Sequence, residues 1–461
     1  MSGAGTTAGV TSEAAAGRWL IKSARPLGGE PADILVEDGR IVAISPSAGQ
    51  DRDLASGRVR VLDAAGLIAL PGLVDLHAHL REPGREDAET VASGTAAAAR
   101  GGYTAVHAMA NTTPVADTAG VVEQVWRLGR QAGYCDVRPV GAVTAGLAGH
   151  QLAELGAMAD SAARVRVFSD DGRCVSDATL MRRALEYVKA FDGVIAQHAQ
   201  EPRLTESAQV NEGEVSARLG LAGWPAVAEE AVIARDCLLA AHVGSAVHLC
   251  HVSTAGSVEI IRWAKSKGWR VTAEVTPHHL LLTDELVSGY DPVYKVNPPL
   301  RTAADVAALR AGLADGTIDC VATDHAPHPA EAKETEWATA ASGMTGLETA
   351  LRVVHEAMVG TGLLDWAGVA DRMSARPAAI GRIGPGQIGR GGQDVSHGGP
   401  VEAGHPANLV LYDPEPITAV DPAGHASRSG NTPFAEMKLP GQVIATFLRG
   451  EAVVLDGRLA R

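Results

Sequence analysis

The chain has 461 residues, 40 Lys and Arg against 54 Asp and Glu, a formal charge of −14, 46% hydrophobic residues and 20% charged ones. That balance fits a soluble globular enzyme and excludes a protein that neutralises nucleic-acid phosphates over a broad face, though one local arginine is enough to hold a small anionic substrate. The length exceeds what one simple core fills, so a large barrel-type domain with a second module is expected.

The first 16 residues lack the basic start and apolar core of a signal peptide and read as a disordered tail. From Trp19 to about Leu70 short strands and tight turns follow one another, and Asp38-Gly39 between Ile34, Val36 and Ile41, Val42, Ile44 is a hairpin signal. The stretch Leu70-Pro-Gly-Leu-Val-Asp-Leu-His77-Ala-His79-Leu-Arg81 then reads as a buried strand ending in two histidines. Residues i and i+2 of a strand face the same way, so both imidazoles aim at one point, as at a metal site.

Beyond it the texture is strand, loop, helix, repeated. Apolar strand-like runs stand at Leu73–Leu76, Thr104–Met109, Val137–Val143, Val165–Phe168, Val194–Gln197, Ala246–Cys250, Arg270–Val275 and Cys320–Ala322. Alanine-rich or amphipathic helical runs separate them at Ala88–Arg100, Val121–Ala132, Thr179–Lys189, Ala226–Ala241 and Ala303–Ala314. This is the pattern of an α/β (β/α)8 barrel, with a doubly wound sheet as the competing architecture. Gly384–Gly404 is glycine-rich without periodicity and reads as an exposed linker rather than a phosphate loop. Strands resume at Asn408–Asp413, Val443–Gly450 and Val453–Gly457. The expected organisation is a tail (1–16), sheet module (17–70), barrel (71–383), linker (384–404) and the rest of the sheet module (405–461). The five cysteines, Cys135, Cys174, Cys237, Cys250 and Cys320, form no Cys-x-x-Cys pair and read as reduced thiols in the cytoplasm. No apolar run approaches the ~18 residues of a membrane helix.

Catalytic groups of such barrels sit at the C-terminal ends of strands. Those ends carry His77-x-His79, Asn111, Asp170-Asp171, His198, His251 and Asp324-x-x-x-His328. Four histidines and two carboxylates on one rim form a donor set suited to zinc. Arg81 adds a fork for a carboxylate and Asn111 a partner for an amide. Any one of these histidines alone would read as structural, as His107, His150 and His355 do.

Together these residues resemble the dihydroorotases of the amidohydrolase superfamily, closest to the bacterial class I type with a β-sandwich beside its barrel. The resemblance runs from about Trp19 to the C-terminus. It is most specific at Asp75-Leu-His-Ala-His-Leu-Arg-Glu-Pro-Gly, Phe168-Ser-Asp-Asp-Gly, Val296-Asn-Pro-Pro-Leu-Arg301 and Ala322-Thr-Asp-His-Ala-Pro-His328. It implies one or two zinc ions, two favoured: His77, His79 and Asp324 on one, His198 and His251 on the other, Asp171 bridging. Asp170 is the alternative bridge. It implies substrate contacts from His79, Arg81, Asn111, Asn297 and His328 and from Ser342 and Gly343. The implied reaction is reversible hydrolysis of dihydroorotate to N-carbamoyl-L-aspartate in pyrimidine biosynthesis, by a zinc-activated hydroxide with Asp324 as general base and acid. Hydantoinases, allantoinases and animal-type dihydroorotases bridge their metals through a carboxylated lysine at the end of strand four. This sequence has no lysine there, Lys189 being well down the next helix. The implied partners are the small-molecule substrate, a second copy in a homodimer, and aspartate transcarbamoylase. The rival readings are another cyclic-amide hydrolase and a metal-free scaffold that binds aspartate transcarbamoylase.

Overall fold

Eight short parallel strands carry the site. They are β1 (Leu73–Ala78), β2 (Tyr103–Ala108), β3 (Asp136–Pro139), β4 (Val167–Phe168), β5 (Val194–Gln197), β6 (Val247–Leu249), β7 (Val271–Val275) and β8 (Cys320–Val321). The computed structural model describes residues 18–46, 59–388 and 394–460; the expected tail lies outside them. Strand β1 pairs with β2 and β2 with β3, while β4 to β8 pair in sequence order. Two parallel bridges, Gly141 to Phe168 and Ala78 to His325, join the two sets, so the pairing returns to the strand it began with. Such strands have both faces covered, which is why they read as continuous apolar runs without alternation.

The helices follow from local chemistry. Val91–Arg100 starts at Thr90, whose side chain accepts from the Ser93 amide while the Ser93 hydroxyl accepts from the Thr90 amide. Its Ala96–Ala99 run is buried, the small side chains letting the helix lie close against the strands. Val227–Val243 begins with Glu229, which is buried and accepts from the Ser253 amide at 2.9 Å and the Ser257 hydroxyl at 2.6 Å. A helix start thereby pins the loop that leaves β6 just after His251.

The two chain ends build one nine-stranded sheet. Trp19–Pro26 pairs with Ala32–Glu37, which forms a hairpin with Arg40–Ser45. At its turn Asp38 and Gly39 both have positive φ, +47° and +78°, as a two-residue hairpin turn requires. Ile68–Pro71 pairs with Leu409–Ala419 from the far end, which pairs with Lys438–Leu448. The chain crosses from this sheet into β1 at Gly72, where a Cβ would lie 2.3 Å from the Thr104 side chain.

The expected exposed linker is only partly so. Residues 389–393 are outside the described set, but Ser396, His397 and Val401 are buried. The His397 Nδ1 accepts from Thr104 Oγ1 at 3.1 Å and its Nε2 donates to Asp136 at 2.9 Å. Glycine-rich composition conceals this because two polar side chains, and no apolar period, do the anchoring.

Candidate metal centre

The strand ends converge on the Asp171 carboxylate. Asp171 Oδ1 lies 3.3 Å from His77 Nε2, from His198 Nδ1 and from His251 Nε2, and Oδ2 lies 3.3 Å from His79 Nε2. Asp324 Oδ1 stands 3.4 Å from His77 Nε2 and 3.2 Å from His79 Nε2. All six residues are buried. Asp170 points elsewhere: it accepts from the Val143 and Thr144 amides and the Thr144 hydroxyl, anchoring the loop after β3. Adjacent residues on an extended chain face opposite ways, so only one carboxylate of the pair reaches the centre. Lys189 donates to the Val243 carbonyl at 2.6 Å and takes no part.

The donors are set for a cation. Burial opposes charge on His77, yet the carboxylates of Asp171, Glu274 and Asp324 hold its pKa well above the ordinary value. Burial likewise opposes charge on Asp324, but His77 and His79 bring its carboxyl down to about 2. A place that favours an imidazolium among carboxylates favours a divalent ion more. His77 Nε2 is buried with no hydrogen-bond partner among the described residues, which leaves its lone pair for such an ion. Two donor groups, His77 with His79 and Asp171, and Asp171 with His198 and His251, each have ligand atoms within 4.8 Å of one another.

The outward nitrogens are held as metal-bound imidazoles usually are. His77 Nδ1 donates to Glu274 at 2.7 Å, His79 Nδ1 to the Asn111 side chain at 2.9 Å, and His198 Nε2 to Gln200 at 2.7 Å. Glu274 also accepts from His248 Nε2 at 3.0 Å. Asp75 accepts from the His77 amide and from both the amide and hydroxyl of Thr323, locking β1 to the residue before Asp324. Glu274, Gln200, His248 and Asp75 were not singled out in the sequence. The available signal was a carboxylate inside an apolar strand, Val271-Thr-Ala-Glu-Val275 and Leu73-Val-Asp-Leu76. His278, in Thr276-Pro-His-His279, was also missed. Its Nε2 is buried without a partner among the described residues, and burial pushes its pKa down to about 4, close to Asp324 and His251.

The expected substrate residues ring this centre. Arg81 Nε donates to the Pro327 carbonyl at 3.1 Å and its Nη2 lies 3.4 Å from His328 Nε2, leaving Nη1 without a partner among the described residues. His328 Nε2 donates to the Ser342 carbonyl at 2.9 Å, and burial with the charges of Arg81 and Lys333 pushes its pKa down to about 3, so it stays neutral. Asn297 Nδ2 donates to Gln200 at 3.1 Å, while its Oδ1 is buried without a partner among the described residues. The Gly343 amide donates to the Lys295 carbonyl at 2.9 Å and its carbonyl accepts from Asn431, so this residue shapes the wall without a spare amide hydrogen.

Residues 66–257 match the family described as Dihydro-orotase-like. The dihydroorotase of Streptomyces coelicolor is 68% identical over 440 residues, 95% of this chain and 99% of that protein. The chain belongs to the dihydroorotase family. The dihydroorotase of Mycobacterium tuberculosis is 56% identical over 442 residues, again 95% of this chain and 99% of the relative. Among solved structures, the L-hydantoinase (dihydropyrimidinase) of Arthrobacter aurescens superposes with a TM-score of 0.83 at 26% identity, covering 96% of this chain and 98% of its own. The dihydropyrimidinase of Brevibacillus agri, at 20% identity and a TM-score of 0.78 over 96% of each chain, shares the fold. No helix among the described residues is long and apolar enough to cross a membrane.

Proposed function

We propose that this dihydroorotase-family chain hydrolyses dihydroorotate reversibly to N-carbamoyl-L-aspartate, serving pyrimidine biosynthesis. The ring of eight strands is read as a (β/α)8 barrel spanning residues 71–383, with the terminal sheet as a separate module. The observation that carries the reading is one buried carboxylate, Asp171, placed 3.3 Å from four histidine nitrogens. His77, His79 and Asp324 would hold one zinc and His198 and His251 the second, with Asp171 shared; six donors around one centre favour two ions over one. The metal would supply Lewis-acid polarisation of the ring carbonyl and a more acidic water.

The chain's own residues supply the rest. Asp324 takes the proton of the attacking water and returns it to the ring nitrogen as the C–N bond breaks, which matters because an amide is a poor leaving group. The Arg81 guanidinium, with Nη1 unengaged among the described residues and Nη2 3.4 Å from His328 Nε2, fits the two oxygens of the substrate carboxylate. Asn111 offers its amide nitrogen beside them, His79 and neutral His328 close the same side, and the unpaired Asn297 oxygen accepts from a ring N–H. The Ser342–Gly343 backbone forms the wall behind His328.

Turnover of dihydroorotate, measured beside hydantoin and allantoin with metal content per chain, tests this reading. Loss of turnover on chelation and recovery with zinc is expected. Hydantoin as the faster substrate would favour the second reading suggested by the L-hydantoinase fold, against which Arg81 argues. Unpaired cysteines, four of them buried, support a cytoplasmic setting. Light scattering alone and with aspartate transcarbamoylase tests the two assemblies the resemblance implies.

A further inference from the structure

At the end of the ring opposite the metal donors lies a cavity of about 720 Å3, walled by the starts of β3 and β4, by Gly381–Ile383, Gln387, Ile388 and Val395, and by Leu448, Arg449 and Glu451 of the terminal sheet. Six arginines line it: Arg130, Arg138, Arg164, Arg166, Arg382 and Arg449. Its carboxylates are Asp136, Asp192 and Glu451. Two of the arginines are matched. Arg449 takes both oxygens of Asp136, at 2.7 and 3.0 Å, and Arg382 Nε lies 2.9 Å from Asp192.

The other four are not. Arg138 is 4.0 Å from Asp136, which is already held by Arg449 and His397. Arg130, Arg164 and Arg166 form no ion pair within 4.0 Å among the described residues. Arg130 stacks on the Trp126 ring, Arg164 reaches the Ile388 carbonyl at 3.4 Å, and Arg166 uses one Nη on the Ala159 and Val165 carbonyls. Arg138 Nε is buried with no partner among the described residues. Burial and the nearby Arg449 and Arg164 disfavour the charge on Arg138, and burial and Arg164 disfavour that on Arg166. Like charges crowded together in a chain of net charge −14 stand at a cost that a bound anion removes.

We propose that this cavity binds a small molecule carrying a chain of phosphates, seated among Arg138, Arg164 and Arg166. Guanidinium forks pair two-to-two with phosphate oxygens, and neighbouring phosphates present the closely spaced charges that several forks require. The volume lies within the ~300–1,000 Å3 typical of small-ligand sites. The cavity shares no residue with the metal centre, so the proposal stands apart from the catalytic reading.

Calorimetry on the full-length, metal-loaded protein tests it, with inorganic tripolyphosphate in one arm and a purine and a pyrimidine nucleoside triphosphate in others. One saturable site per chain is expected, weakening as salt rises and by about tenfold or more in Arg164→Gln/Arg166→Gln. Arg164 is exposed and Arg166 half-buried, so this variant should keep its melting temperature and its turnover; Arg164→Gln alone, at the exposed position, serves if it does not. Equal binding in all arms assigns recognition to the phosphates, and tighter nucleotide binding adds the nucleoside; both support the site. Oligophosphates also chelate metal ions, so binding undiminished in the arginine variants would place the ligand at the metal centre and overturn the proposal. Absence of saturable binding below about 1 mM in every arm overturns it too.

Discussion

The Asp171 carboxylate lies 3.3 Å from nitrogens of four histidines. An aspartate is short, and it reaches four imidazoles only because β1, β5 and β6 end around it. The proposed proton-carrying role of Asp324 predicts that Asp324→Asn lowers kcat by about 10²–10⁴-fold while metal content, read by atomic emission, stays near the wild-type value. Near-normal turnover would reject it as the proton carrier. Glu274 accepts from His77 Nδ1 at 2.7 Å and so positions that imidazole. Glu274→Gln keeps the shape but weakens the acceptor, and chelator competition should show metal affinity reduced by about 10–100-fold. Unchanged affinity would make Glu274 a packing residue only. The two carboxylates illustrate different legibility. Asp324 stands in a motif at a strand end, whereas Glu274 lies mid-strand, and only its neighbour across the ring gives it a role.

Elements matter here for the backbone they force at the rim. Arg81, His251 and Asp324 have φ of +62°, +32° and +47°, in the left-handed region that costs a non-glycine residue of order 1–3 kcal/mol. The flanking pairing sets that geometry: the His79 amide donates to the His325 carbonyl, and Glu229 and Asp75 pin the loops around them. Gly343, at φ +140°, sits where a Cβ would be 2.8 Å from both His328 Nε2 and the Ala326 Cβ. Gly343→Ala should therefore displace His328 and lower kcat/KM by about 10²-fold without metal loss. A KM close to wild type would show that the loop yields. Sequence periodicity located the strands to within a few residues. It could not supply these φ values, because rim conformations come from contacts between loops far apart in the chain.

The whole molecule is tied together at Asp136, where the start of β3, the segment around His397 and Arg449 of the terminal sheet meet. Burial opposes its charge, but His397 and Arg449 hold its carboxyl well below the usual carboxylate range. A depressed carboxyl adds stability that is fully present above its unfolded pKa and is lost progressively as pH falls from there toward the folded value. Asp136→Asn should cost about 2 kcal/mol at neutral pH, and the gap to wild type should begin to narrow as pH falls below ~4. Urea unfolding at pH 7 and pH 3.5 checks this; a gap independent of pH would assign the loss to packing. What the sequence by itself determined was the kind of chemistry and the count of elements: histidines two apart at a strand end, six candidate donors at strand ends, and β-rich pieces at both termini. These are local signals, set by the two-residue period of a strand and by the residue types that bind metal. Only the tertiary structure decided that Asp171 and not Asp170 faces inward, that Glu274, Gln200 and Asn111 hold the outward nitrogens of His77, His198 and His79, and that a glycine-rich stretch is anchored by a buried histidine. It also brought together arginines from four distant segments into one cavity. Each depends on which groups meet across the ring, and that is a property of closure that no single stretch of chain contains.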